Sequence, residues 1–194
     1  TGFGDVPLQE LPASATVIPR SALDAVGARR LADLTQFDAS VTDAYNASGY
    51  WDFLSIRGFT LDNRFNYRRE GLPISAETAI PLDNKDRIEI LKGPASVLYG
   101  EGAVAGMVNL VTKRPVREAQ GSEAFLSYGS FNTVRAGVGS GGRLWFDKLH
   151  YRTDVSYQNG DSAAGYQRTP YTYWNLTSAL LYDVTSRFNV ELSF

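Results

Sequence analysis

From Leu149 to Gln158 the sequence LHYRTDVSYQ changes chemical character at every residue. Leu149, Tyr151, Thr153, Val155 and Tyr157 fall on one side, and His150, Arg152, Asp154, Ser156 and Gln158 on the other. A period of two is the signature of a strand with two unlike faces, because successive side chains of a strand point to opposite sides. RFNVELSF, 187–194, repeats the pattern with Phe188, Val190, Leu192 and Phe194 against Asn189, Glu191 and Ser193. EAFLSYGS, TVRAGVGSG and WNLTSALLYD alternate less cleanly, through Ala124, Leu126 and Tyr128, then Val134, Ala136 and Val138, then Trp174, Leu176, Leu180 and Tyr182. The second part of the chain therefore reads as five antiparallel strands. The turns between them are YGSFNT, GSGGRLWFDK, NGDSAAGYQRTP and DVTSR.

Alternation alone fits half of a soluble β-sandwich as well as a membrane barrel. Two details favour the barrel. The polar face carries Arg135, Arg152, Asp154 and Glu191, as a watery or plugged lumen allows. Aromatic residues stand near strand ends on the apolar face (Tyr128, Tyr157, Trp174, Tyr182 and Phe194), as interface girdles do. Composition agrees: eleven Tyr, ten Phe and eighteen Gly, with no Cys. No thiolate chemistry or disulfide framework is available. A net charge of -2 argues against a nucleic-acid partner, and a single His gives a His-based metal site or a Ser-His triad little support. No apolar run reaches the length of a membrane helix. There is no initiating Met or leader pattern, and Phe194 falls within a strand pattern, so the chain reads as a piece of a longer mature protein.

Ahead of PVREAQG, 115–121, the grammar is different. SALDAVGARRLADLTQF, 21–37, predicts one helix or two short ones, with Ser21 as N-cap and Leu23, Val26, Leu31 and Leu34 as an apolar stripe around Gly27. FLSIRGF, 53–59, and DRIEILKG, 86–93, predict strands. GEGAVAG, 100–106, matches the loose dinucleotide pattern G-x-G-x-x-[GA], but its flanks are reversed. A short helical segment, PASVLY, precedes it and a β-branched strand, MVNLVTKRP, follows, whereas a pyrophosphate loop needs a strand first and then a helix N-terminus. The glycines read better as a tight crossing between a short helix and a strand. Asp83, Asp86 and Glu89 have no neighbouring nucleophile and do not form an acid/base pair, so no enzyme activity is expected.

FLSIRGF, then EGLPI, then DRIEILKGPASVLYGEGAVAGMVNLVTKRP together resemble the plug domain of TonB-dependent outer-membrane receptors, and most closely the ferrichrome-type siderophore branch. Glu70 stands where that family often has Asp, and Lys92 where many members have Arg. The resemblance implies an α+β plug over 1–117, followed over 118–194 by the opening strands of a transmembrane β-barrel. Five strands are an incomplete barrel, since such transporters have about 22. The implied function is binding of a ferric siderophore at the outer face of a Gram-negative outer membrane, and import with energy supplied by TonB. TonB would act through a segment upstream of Thr1. Outer-membrane lipid is the other expected partner. No cofactor is expected, since iron would arrive wrapped in its chelate. The alternatives are another cargo (cobalamin, a nickel chelate or a glycan) or a soluble β-rich binding protein.

The resemblance also distributes roles. Tyr45, Tyr50, Trp51, Asn63, Arg64, Ser75 and Glu77 lie in the loops expected to meet the ligand, with Tyr166, Arg168 and Tyr171 as weaker candidates. Aromatic faces and a few polar groups suit a flat chelated iron complex, and Arg64 would attract an anionic one. Arg57 and Lys92 are cations in otherwise apolar strands and need partners. These would be carboxylates of the barrel wall or, failing that, plug residues such as Asp86 or Glu89. Gly58, Gly71, Gly93, Gly100, Gly102 and Gly106 are expected to be architectural.

Overall fold

The computed structural model describes residues 14–47, 51–93, 105–117, 121–144, 147–161, 170–185 and 187–194. The chain divides into two compact units, Thr1–Thr112 and Lys113–Phe194.

Unit 1 is α+β. It begins with β1 (Ser14–Pro19), α1 (Arg20–Ala25) and a 3-10 helix, Leu31–Gln36. The strands β2 (Val41–Ala47), β3 (Trp51–Ile56), β4 (Phe59–Thr60), β5 (Tyr67–Arg69), β6 (Leu72–Pro73), β7 (Lys85–Lys92) and β8 (Gly106–Thr112) follow. They form two sheets, ordered β1-β7-β8-β5-β6 and β2-β3-β4. The first sheet is antiparallel except where β5 runs parallel to β8. Ile18, Leu23, Leu31, Leu34, Leu54, Ile56, Tyr67, Leu82, Ile88, Ile90, Val108 and Leu110 fill one buried cluster.

The helical segment predicted over 21–37 is two short helices. Its cap is Pro19, not Ser21, which lies within α1. Pro cannot donate a backbone N–H, so it suits a helix start, where that group has no partner. Leu23, Leu31 and Leu34 are buried as expected, but Val26 is exposed. The reason is local: Gly27, at φ 65°, ends the first turn and breaks the helical phase.

FLSIRGF is not one strand. Ile56 pairs with Phe59, and Arg57 and Gly58, both at positive φ, form the two-residue turn of a hairpin. Arg69 pairs with Leu72 around Glu70 and Gly71 in the same way. Two-residue turns with positive φ at both positions match the right-handed twist of paired strands, which is why Gly takes the second position. Arg57 is consequently an exposed turn residue, not a cation buried in a strand.

Unit 2 is a meander of β9 (Ser122–Gly129), β10 (Thr133–Leu144), β11 (Leu149–Asp161), β12 (Pro170–Asp183) and β13 (Asn189–Ser193), paired in chain order. β10 runs through most of the predicted GSGGRLWFDK turn. Glycine persists there because the side chains of neighbouring strands occupy the space. A Cβ on Gly139 would lie 2.5 Å from Asp154 Oδ1 and 2.9 Å from Glu123 Oε1.

The two faces of this sheet are inverted relative to a soluble protein. His150, Arg152, Asp154, Ser156 and Arg135 are buried. Leu126, Tyr128, Val138, Trp174, Leu176 and Leu192 are exposed, Leu126 at 80% and Trp174 at 73%. Tyr157 and Trp174 pack at 4.5 Å between centroids toward one end of the strands, with Tyr128 on the same side. Tyr182 lies toward the other end. Phe194 falls outside both girdles: it hydrogen-bonds with Ser178, opposite the middle of β12. A row of exposed apolar side chains between aromatic bands is the pattern of a strand facing hydrocarbon.

Candidate functional site

Two groups of predicted ligand residues are ordered in unit 1. The first is aromatic. Tyr45 on β2 pairs with Phe53 on β3, so Tyr45 is the diagonal neighbour of Trp51 on the same face. Tyr45 and Trp51 stack at 6.1 Å, and Trp51 and Phe53 at 6.2 Å. Phe53 meets Tyr67 at 6.4 Å. The ladder runs from exposed Tyr45, at 63%, to fully buried Tyr67. Tyr67 Oη accepts the Leu54 N–H at 2.8 Å, and burial pushes its phenol up to about 12.

The second group is polar. Asn63 Oδ1 accepts the Ala76 N–H at 2.5 Å and the Ser75 hydroxyl at 3.5 Å. Ser75 Oγ in turn accepts the Glu77 N–H at 3.2 Å. Asn63, Ser75 and Glu77 are thus brought together. Arg64, next in sequence, lies over the Phe65 ring at 5.0 Å. Its guanidinium donates to both oxygens of Asp62, at 3.1 and 2.8 Å. Hydrogen bonds from Arg64 hold the Asp62 carboxyl down at about 2. An incoming anion would meet a paired arginine, not the bare cation expected from the sequence. The pair is largely exposed, and such pairs are worth only about 0–1 kcal/mol, so a ligand could exchange with Asp62.

Sequence reasoning passed over Asp62, Phe53 and Tyr67. The signal for Asp62 was present, since an Asp two residues ahead of Arg64 can fold back on the backbone, here through the Arg64 N–H at 2.8 Å. Tyr50, Gly100, Gly102, Tyr166, Arg168 and the side chain of Tyr171 lie outside the described residues.

Lys92 finds its carboxylate inside unit 1, and it is neither Asp86 nor Glu89. Lys92 Nζ lies 2.5 Å from Asp38 Oδ2, which also accepts the Thr16 hydroxyl at 2.6 Å. Ser40 donates its N–H and hydroxyl to Asp38 Oδ1. Burial opposes the Asp38 charge, yet Lys92, Thr16 and Ser40 together hold its carboxyl well below the usual range. The expectation that Lys92 turns to a barrel wall therefore gives way to an internal ion pair. Glu89 is also committed within unit 1, to Arg87 at 2.9 Å and Asn109 at 3.0 Å.

The predicted short helix PASVLY and the glycine crossing after it, residues 94–104, lie outside the described residues, but the two ends that flank them meet between β7 and β8. Gly93 donates its N–H to Ala105 O at 3.0 Å. At Gly106, φ is 128° and a Cβ would lie 2.1 Å from Leu91 O, so only glycine fits against that backbone.

This architecture matches known proteins. The ferripyoverdine receptor of Pseudomonas aeruginosa is 29% identical over 170 residues, 82% of this chain and 19% of that one. The vitamin B12 transporter BtuB of Vibrio vulnificus is 30% identical over 149 residues, 70% of this chain and 24% of that one. The chain thus spans about a fifth to a quarter of the length of these relatives. Among solved structures, the open form of the ferric-catecholate import receptor Fiu from E. coli K12 matches with a TM-score of 0.84 at 20% identity, which speaks to the fold alone. That match covers 99% of this chain and 28% of that one. The family model of the TonB-dependent receptor plug domain matches residues 7–107, more than half of the chain, and the chain belongs to that family.

Proposed function

We propose that this chain is the plug and the first five barrel strands of a Gram-negative outer-membrane receptor that binds a ferric siderophore and imports it with energy from TonB. The observation that carries the reading is the inverted sheet of unit 2: buried Arg152 and Asp154 on one face, exposed Leu126, Leu176 and Leu192 on the other. Water penalises that arrangement and a bilayer outside a polar lumen favours it. The likeness to a ferripyoverdine receptor supports the cargo class. In this reading the Tyr45–Trp51 stack and the Asn63–Arg64–Ser75–Glu77 group present flat apolar faces and a few polar groups to the chelate. A cobalamin cargo is the second reading, supported by the comparable identity to a vitamin B12 transporter.

The test uses the full-length receptor, presented with ferric hydroxamates, ferric catecholates, mixed ferric chelates and cobalamin. Tyr45→Ala, Trp51→Ala and Arg64→Ala should each weaken binding of the accepted cargo roughly tenfold or more, since aromatic and Arg anchors dominate interfaces. Heat-modifiable mobility should stay unchanged. Preference for cobalamin would select the second reading. Unchanged affinity in all three variants would remove this site.

A further inference from the structure

Five residues, Lys113–Arg117, open unit 2, and three of them are cations. Lys113 Nζ lies 2.5 Å from Glu123 on β9 and 3.6 Å from Asp154 on β11. Arg114 Nη1 lies 3.4 Å from Glu191 on β13. Arg117 grips Asp183 at the end of β12 with two parallel hydrogen bonds, Nε to Oδ2 at 2.8 Å and Nη2 to Oδ1 at 2.7 Å. Pro115, between them, is buried. A short run of chain thus draws carboxylates from both outer strands of the meander and from two of the inner ones.

The register explains how the cations find their partners. Glu123 and Asp154 both pair with Gly139, so the three stand in one cross-strand row. The middle position has no side chain, and Arg152 Nη2 reaches both carboxylates from the adjacent row on the same face. Lys113 joins them as the second cation, so two carboxylates face two cations. Arg114, its neighbour in sequence, reaches the opposite edge of the sheet, because β9 and β13 are the outermost strands.

We infer that Lys113–Arg117 is an electrostatic strap. It fixes the joint that follows Thr112 onto the strands and holds β9 and β13, which are not neighbours, at a set spacing. The joint is then an anchored post, not a slack linker. Exposed ion pairs hold little individually. The bidentate Arg117–Asp183 pair, the Lys113 network and the buried Pro115 act on five consecutive residues, and they supply the hold together.

Trypsin reads the strap directly, because it cuts after Lys113 and Arg117 and is blocked after Arg114 by Pro115. Glu123→Gln and Asp183→Asn remove partners and leave the cleavage sites intact. In the full-length receptor in detergent, cleavage after Arg117 should rise about tenfold in Asp183→Asn, and cleavage after Lys113 likewise in Glu123→Gln, since cutting follows the opened population. Concentrated salt should speed both cuts in the unaltered receptor, by screening the pairs. Only molecules with the heat-modifiable mobility of a folded barrel are counted. Equal rates in the unaltered receptor and both variants would overturn the strap. If either variant fails to assemble, a spin label at Val116→Cys decides, read first in the otherwise unaltered receptor and then with Glu191→Gln added. The strap requires a label that is immobile in the first case and freed in the second, and a label already mobile without Glu191→Gln also overturns it.

Discussion

Leu110 in unit 1 and Leu126 in unit 2 are both strand leucines, one fully buried and the other 80% exposed. Charges reverse the same way. In unit 2 the buried face is lined by Arg135, His150, Arg152 and Asp154, while in unit 1 Arg57 and Arg64 lie outside a core of leucine, isoleucine and valine. The sheets obey the same backbone rules and differ in what their apolar faces are for. Unit 1 removes apolar surface from water, worth about 25 cal/mol per Å². Unit 2 presents its apolar surface outward, which is stable only where the outside is itself apolar.

The largest effect should come from testing the two leucines against each other. Leu110→Ala should cost about 2–5 kcal/mol of unit 1 stability, the range for emptying a core position. Leu126→Ala should stay within about 0.5 kcal/mol. Denaturant titration of each variant measures both, and similar costs would break the comparison. A charge sharpens it further. Leu176→Arg, on the exposed face of β12, should destabilise membrane insertion by about 2–4 kcal/mol if it lies near the bilayer midplane. Arg at the next position, Thr177, on the face that carries Asp154, should be far better tolerated. Equal tolerance in an assembly assay would mean that the face is wrong.

The smallest effect concerns one of the few charged side chains that unit 1 buries, alongside Asp52, Arg68 and Glu89. Lys85 is buried, and its ammonium donates to Asn84 Oδ1. Burial, with help from Arg69, lowers its pKa to about 8 against partial opposition from Glu70 and Asp83. An unfolded chain keeps that proton up to about 10.4. Between those values the unfolded state binds the proton and the folded state does not, so stability rises with pH across the window. Below about 8 both states are protonated and the cost is fully present, on the order of 3 kcal/mol at most. Lys85→Met should therefore stabilise unit 1 at neutral pH and flatten its stability between pH 8 and 10. Urea unfolding at several pH values reads this, and an unchanged slope would show that Lys85 is not its source.

Much of this was legible in the chain. The alternating strands of unit 2 and their facing residues appear as read, because a period of two is a local property of the backbone. So do the two strands that flank the glycine segment, Lys85–Lys92 and Gly106–Thr112. The hairpin at Arg57–Gly58 was missed because Ile56 and Phe59 continue the apolar pattern straight through the turn. The candidate site was half legible. Tyr45, Trp51, Asn63, Arg64 and Ser75 could be named, but not the ladder through Phe53 to Tyr67 or the hold of Asp62 on Arg64.

The sequence by itself determined the strands of unit 2, their two faces and the family, since periodicity and glycine placement are written along the chain. Partner choice was decided by tertiary structure alone. Lys92 has Glu89 three residues away and Asp86 six away, yet pairs with Asp38, 54 positions earlier. Gly139 looked like part of a turn and is instead the gap in which Glu123, Arg152 and Asp154 meet. Coulomb attraction depends on distance in space, and only the folded register of the strands sets that distance.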